Sequence, residues 1–126
     1  NLLTLPSGSS NYFLLGIVAY SNRAKTSVLK IPPSLIAKEG AVSRVVASLM
    51  AQSVRKIAKT DFGIGITGIA GPGGGTYQEP VGTEFIAIDT AKKKICQRFL
   101  FKGNRIQIRK KAAVKALELL SELMCF

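Results

Sequence analysis

The chain contains no histidine. Ser-His-Asp triads, Cys-His dyads and ordinary zinc hydrolase sites are therefore excluded within it. Any catalytic base must be a Lys, Asp, Glu or Tyr side chain, or a water. Cysteine is nearly as scarce, with only Cys96 and Cys125. Two distant thiols give neither metal-ligand spacing nor a disulfide framework, so reduced cytoplasmic thiols are expected, with no metal and no cofactor. Long apolar runs are missing too. The longest is Tyr12–Leu15, continued past Gly16 as Ile17–Tyr20. That falls well short of the ~20 residues a helix needs to cross a bilayer. No charged segment precedes it, as a signal peptide would require. Repeats, low-complexity tracts and linkers are also absent, so a single domain over residues 1–126 is expected.

Acidic residues are few: seven Asp and Glu face eighteen Lys and Arg, for a formal charge of +11. This balance favours anionic partners, whether a phosphorylated ligand, a nucleic acid or an anionic membrane surface, or reflects a solvated basic face. The basic run Arg105, Arg109, Lys110, Lys111 and Lys115 has no aromatic residues interleaved to stack on bases. It reads as a solvated helix face, and the chain has no helix-turn-helix or zinc pattern to support nucleic-acid binding. Apolar residues make up 47% of the chain, enough for a core and too many for a disordered tail.

Leu2–Leu5 running into Pro6-Ser7-Gly8 looks like a helix end entering a turn. Tyr12–Tyr20, rich in β-branched and aromatic residues, predicts a buried strand. Arg23–Leu29 predicts a short helix, and one more turn from Pro33 is closed by Gly40. Ser43 is placed to cap a helix reaching about Ala58. Phe62, Ile64 and Ile66 alternate with glycines as a short strand. Val81–Thr90 and Lys94–Lys102 read as a hairpin around Ala91-Lys92-Lys93. Asn104 then caps a long helix to about Met124, with a stripe of Ala112, Ala113, Ala116, Leu117, Leu120 and Leu123. Alternating strands and helices give an α/β class, a three-layer α/β/α sandwich with a mixed sheet.

Three groupings could carry chemistry. The densest is Gly68–Gly75, where five glycines and a proline follow directly on a strand. Glycines there let backbone N–H groups approach an anion or an oxyanion, beyond a strand's carboxyl end. No Gly-Lys-Ser/Thr follows, so it is not a Walker A loop. Another strand rather than a helix follows, so it is not a dinucleotide fingerprint. The second is Tyr20-Ser21-Asn22-Arg23-Ala24-Lys25, with a phenol, a hydroxyl, an amide and two cations. A desolvated lysine can serve as a base, although an ordinary helix cap would look the same. The third is Lys102-Gly103-Asn104-Arg105, a helix N-terminus with an arginine, suited either to phosphate or to simple capping.

The string Gly68-Ile69-Ala70-Gly71-Pro72-Gly73-Gly74-Gly75-Thr76, followed by Pro80-Val81-Gly82-Thr83, strongly resembles the C-terminal domain of the competence/damage-inducible protein CinA. That family includes stand-alone nicotinamide-nucleotide amidohydrolases. Gly8-Ser9-Ser10, Val18–Asn22 with Lys25, and Gly40–Ser43 match it in order, and Gly103-Asn104-Arg105 looks like its Gly-Asp-Arg. The resemblance implies an α/β/α domain that hydrolyses the carboxamide of nicotinamide mononucleotide without a required metal. It implies Lys25 as base or proton shuttle, with Tyr20 in the same network. Ser21, Asn22, Thr67, Gly68 and Gly71 would bind substrate or the oxyanion, and Arg105 the phosphate. The family's Ala-Glu-Ser-x-Thr-Gly-Gly segment, which carries the expected nucleophile, precedes the position of Asn1. The chain is thus expected to lack the domain's N-terminal helix–strand segment and to be inactive as it stands. The alternative is a nucleotide-binding or regulatory module that has lost hydrolysis. The implied partner is a phosphorylated small molecule, with no membrane, and with homo-oligomerisation left open.

Overall fold

The computed structural model describes residues 1–124, so Cys125 lies outside the described residues. Two 3-10 turns, Leu2–Thr4 and Ser9–Asn11, lead into a segment without regular secondary structure. Helices α1 (Asn22–Ser27), α2 (Pro33–Glu39) and α3 (Arg44–Ala58) follow. Strands β1 (Gly63–Gly68), β2 (Thr83–Asp89) and β3 (Lys94–Leu100) come next, then α4 (Arg105–Met124).

The predicted caps form. Ser43 accepts from the Val46 amide at 3.2 Å to start α3. Asn104 and Gln107 exchange bonds at 2.8 and 2.9 Å, a reciprocal box at the head of α4. Gly40 ends α2, and Arg55 and Lys56 sit in the last turn of α3, where cations complement the dipole.

The sheet runs β1-β2-β3, and alternation along β2 divides its side chains between two helices. Phe85 and Ala87 meet Ala47 and Ala51 of α3 on one face. Ile86 and Ile88 meet Ala116 and Leu119 of α4 on the other. The α/β class and the helix–sheet–helix layering follow from that division. Helix α3 lies unusually close to β1 because β1 offers glycines on that face. A Cβ built on Gly65 would overlap the Ala47 carbonyl oxygen, and one on Gly63 the Ala51 carbonyl oxygen. At the far end of this face Arg55 holds the buried Asp89 carboxylate at 2.5 Å.

Two expectations are corrected. Both described ladders are antiparallel, so the sheet is not mixed among the described residues. Tyr12–Tyr20, expected as a buried strand, has no regular secondary structure over residues 13–20 and joins no ladder. Instead Ile17 and Ala19 pack on the α1–α3 cluster of Leu29, Ile31, Ile36 and Val46. Tyr12, Leu14, Val18 and Tyr20 are exposed. An apolar, β-branched composition does not tell a strand from a segment laid on a helical cluster. The buried line of α4 also differs slightly, being Ile108, Ala112, Ala116 and Leu119.

Candidate functional site

The glycine-rich loop leaves β1 at Gly68 and returns to β2 at Thr83. Backbone bonds pin both ends: Ile69 donates to Thr83 at 2.9 Å and Gly82 to Ile69 at 2.7 Å. Gly71 has φ +80, which glycine alone adopts cheaply, and a Cβ there would meet Val81 Cγ1 at 2.5 Å.

Arg105 opens α4 and reaches back to this loop. Its Nη1 donates to the Gly71 carbonyl at 2.9 Å, and its Nη2 lies 3.4 Å from the Tyr20 hydroxyl. Three of the sequence-predicted site residues, Tyr20, Gly71 and Arg105, therefore meet at one end of the sheet. The Tyr20 ring is 83% exposed and stands at the mouth of this corner. An arginine beside a helix N-terminus suits an anion, because free first-turn N–H groups and the dipole act with the guanidinium.

Lys25 is only 7% exposed, and its Nζ donates to the Ala19 carbonyl at 3.0 Å. Burial holds its pKa below the ordinary lysine value. A lysine so placed gives up its proton more readily than a solvated one. It reaches the backbone next to Tyr20, but no side-chain partner among the described residues.

The remaining predicted residues take other positions. Ser21 caps α1, accepting from the Ala24 amide at 3.0 Å. Asn22 lines an apolar groove of about 440 Å³ with Arg23, Thr26, Pro33 and Ile36, and none of the loop glycines line it. Thr67 points to the α3 face, and its hydroxyl donates to the Ala41 carbonyl at 2.7 Å. Gly68 follows on the opposite, α4 face. Cys96 sits on the α3 face, and burial pushes its thiol pKa up despite Ser48 and Arg44 nearby, which makes it a poor nucleophile.

Glu84 was missed by the sequence reading. It pairs with Gly68 across the β1–β2 ladder, is 5% exposed, and has its pKa raised to about 7 by burial. The available signal was a lone charge directly before the apolar run Phe85–Ile88.

No described helix is long and apolar enough to cross a membrane. No group of three or more His, Cys, Asp or Glu among the described residues is placed to hold a metal ion.

Comparison with known proteins converges on one family. The model of the CinA C-terminal domain matches residues 1–124. A CinA-like protein of Geobacter sp. strain M21 is 49% identical over 107 residues, covering 85% of this chain and 26% of that protein. A CinA-like protein of Desulfotalea psychrophila is 48% identical over 118 residues, covering 94% and 29%. The chain thus spans little more than a quarter of the length of these relatives. Among solved structures, the competence/damage-inducible protein of Agrobacterium tumefaciens superposes with TM-score 0.92 at 33% identity, covering 95% of this chain and 74% of that one. The competence damage-inducible protein A of Klebsiella pneumoniae gives 0.91 at 30% identity, covering 95% and 74%. The chain belongs to the CinA C-terminal domain family.

Proposed function

We propose that this chain is the substrate-binding body of an amidohydrolase that converts nicotinamide mononucleotide to nicotinate mononucleotide and ammonia. The observation that carries the reading is the corner made by Arg105, Gly71 and Tyr20. It joins a cation, a helix N-terminus and a glycine-rich loop, the combination a phosphorylated ligand needs. In this reading Arg105 binds the phosphate. The backbone of Gly68–Gly71 faces the carboxamide and stabilises the oxyanion of the tetrahedral intermediate. Lys25, with its lowered pKa, exchanges the proton between nucleophile and leaving ammonia. The attacking hydroxyl belongs to the family's Glu-Ser-x-Thr-Gly-Gly segment, which is not in residues 1–126.

One observation favours a second reading, a nucleotide-binding or regulatory module. Within the described residues no hydroxyl is paired with Lys25, and Thr67 is already bonded to Ala41. Ammonia release from nicotinamide mononucleotide by the full-length protein separates the two. Release supports the enzyme, whereas binding without release supports the module.

A further inference from the structure

Strand β2 is apolar from Phe85 to Ile88, and Glu84 breaks the pattern at its start. Its side chain belongs to the face that carries α4, shared with Ile86 and Ile88. Burial alone accounts for its raised pKa, with neither a hydrogen bond nor a nearby charge contributing. The carboxyl makes no hydrogen bond among the described residues, and its oxygens are not fully enclosed, so it borders the surface beside the exposed Gly68; an apolar residue would serve the sheet better.

The space it occupies is supplied by Gly68. A Cβ on Gly68 would overlap the Glu84 carboxyl, so both oxygens lie across the α-carbon where the glycine-rich loop begins. Gly71, held by Arg105, is three residues further along. The two α-carbons can be at most roughly 11 Å apart, a distance one mononucleotide covers. Arg105 and Glu84 are thus acceptor-binding and donor-binding groups at two points of one short loop.

We propose that Glu84 is a specificity-determining residue that accepts a hydrogen bond from the N–H donors of a neutral carboxamide and disfavours a carboxylate in the same place. The proposal rests on the nucleotide-binding reading above and extends it. It gives the site a means of telling substrate from product: the amide offers two donors, and the acid offers only negative charge. A site with a largely buried acceptor that has no protein partner discriminates against a ligand that lacks the donor.

Calorimetric titration of the full-length protein at pH 8, with nicotinamide mononucleotide and nicotinate mononucleotide, tests this in a Lys25→Met background that binds without turnover, wild type here meaning Glu84 intact in that background. Wild type should prefer the amide by about 10- to 150-fold, the range of a charge-assisted hydrogen bond. Glu84→Gln, which keeps the shape and adds a donor, should shrink the preference to a few-fold or reverse it. If wild type binds the amide nucleotide and Glu84→Gln leaves the ratio unchanged, the proposal falls and the functional reading stands. If wild type binds neither nucleotide, both fall. A second measurement needs no change at Glu84. The Glu84 carboxyl carbon resonance of labelled wild type should shift on adding the amide nucleotide, and an unmoved resonance in the saturated complex overturns the proposal.

Discussion

Arg105 and Gly71 are joined by a 2.9 Å hydrogen bond, from the first turn of α4 to a carbonyl in the glycine-rich loop. The bond fixes the loop against the helix terminus and leaves the rest of the guanidinium near Tyr20. Arg105→Ala should therefore weaken nicotinamide mononucleotide by about 10- to 150-fold while changing nicotinamide riboside much less. The ratio of the two dissociation constants, with and without Arg105→Ala in the non-hydrolysing Lys25→Met background, is the measurement. An unchanged ratio removes Arg105 from the phosphate site.

Gly71→Val should reduce ligand affinity at least about tenfold. The left-handed backbone penalises a β-branched residue, and the new side chain displaces Val81 at the loop's return. The loss of stability should be smaller, on the order of 1–2 kcal/mol, because Gly71, though buried, belongs to none of the apolar clusters and residues 72–78 after it are exposed. Binding and thermal unfolding of the same variant check both halves. Normal binding with a much lower Tm would make the loop structural.

Gly65→Ala tests the fold. The added carbon has no room against the Ala47 carbonyl, which is backbone and cannot rotate away. Separation of α3 from β1 should lower stability by about 2–3 kcal/mol, read by urea unfolding. A loss under about 0.5 kcal/mol would mean that the close approach is not tight.

The fold was legible wherever local rules decide the outcome. Ser43 and Asn104 are helix caps, and the hairpin and the long C-terminal helix follow their patterns. What failed was partner choice. Tyr12–Tyr20 has the β-branched and aromatic composition of a strand, but a ladder needs a second strand in reach, and composition says nothing about that. The site divides in the same way. Arg105 and the glycine-rich loop were legible as candidates for an anion site because helix termini and glycines carry their chemistry in the backbone. That Tyr20 joins them from 85 residues away is a finding of the structure, since the resemblance had grouped Tyr20 with Lys25. Glu84 went unread because its chemistry arises from burial, set by Gly68 and α4.

Glu84 also leaves a mark on stability. Its folded pKa of about 7 lies above the ordinary 4.5, so the native state holds a proton that the unfolded chain releases. Its contribution is most favourable at low pH and declines as pH rises from about 4.5 through 7. Between pH 5 and pH 8 the wild type should lose on the order of 2 kcal/mol relative to Glu84→Gln, which does not titrate. Parallel unfolding curves across that range check it, and equal slopes for both proteins would contradict it.

The central claim is carboxamide hydrolysis supported by Lys25. Ammonia and nicotinate mononucleotide should be followed together on the full-length protein, wild type and Lys25→Met. Methionine keeps the buried stem beside Ala19 and removes the proton-exchanging amine. The account predicts equimolar ammonia and acid from wild type. It predicts at least a ~100-fold loss of kcat in the variant, with nucleotide affinity and Tm retained. Bound nucleotide with no ammonia from wild type, or near-normal kcat in Lys25→Met, would contradict it.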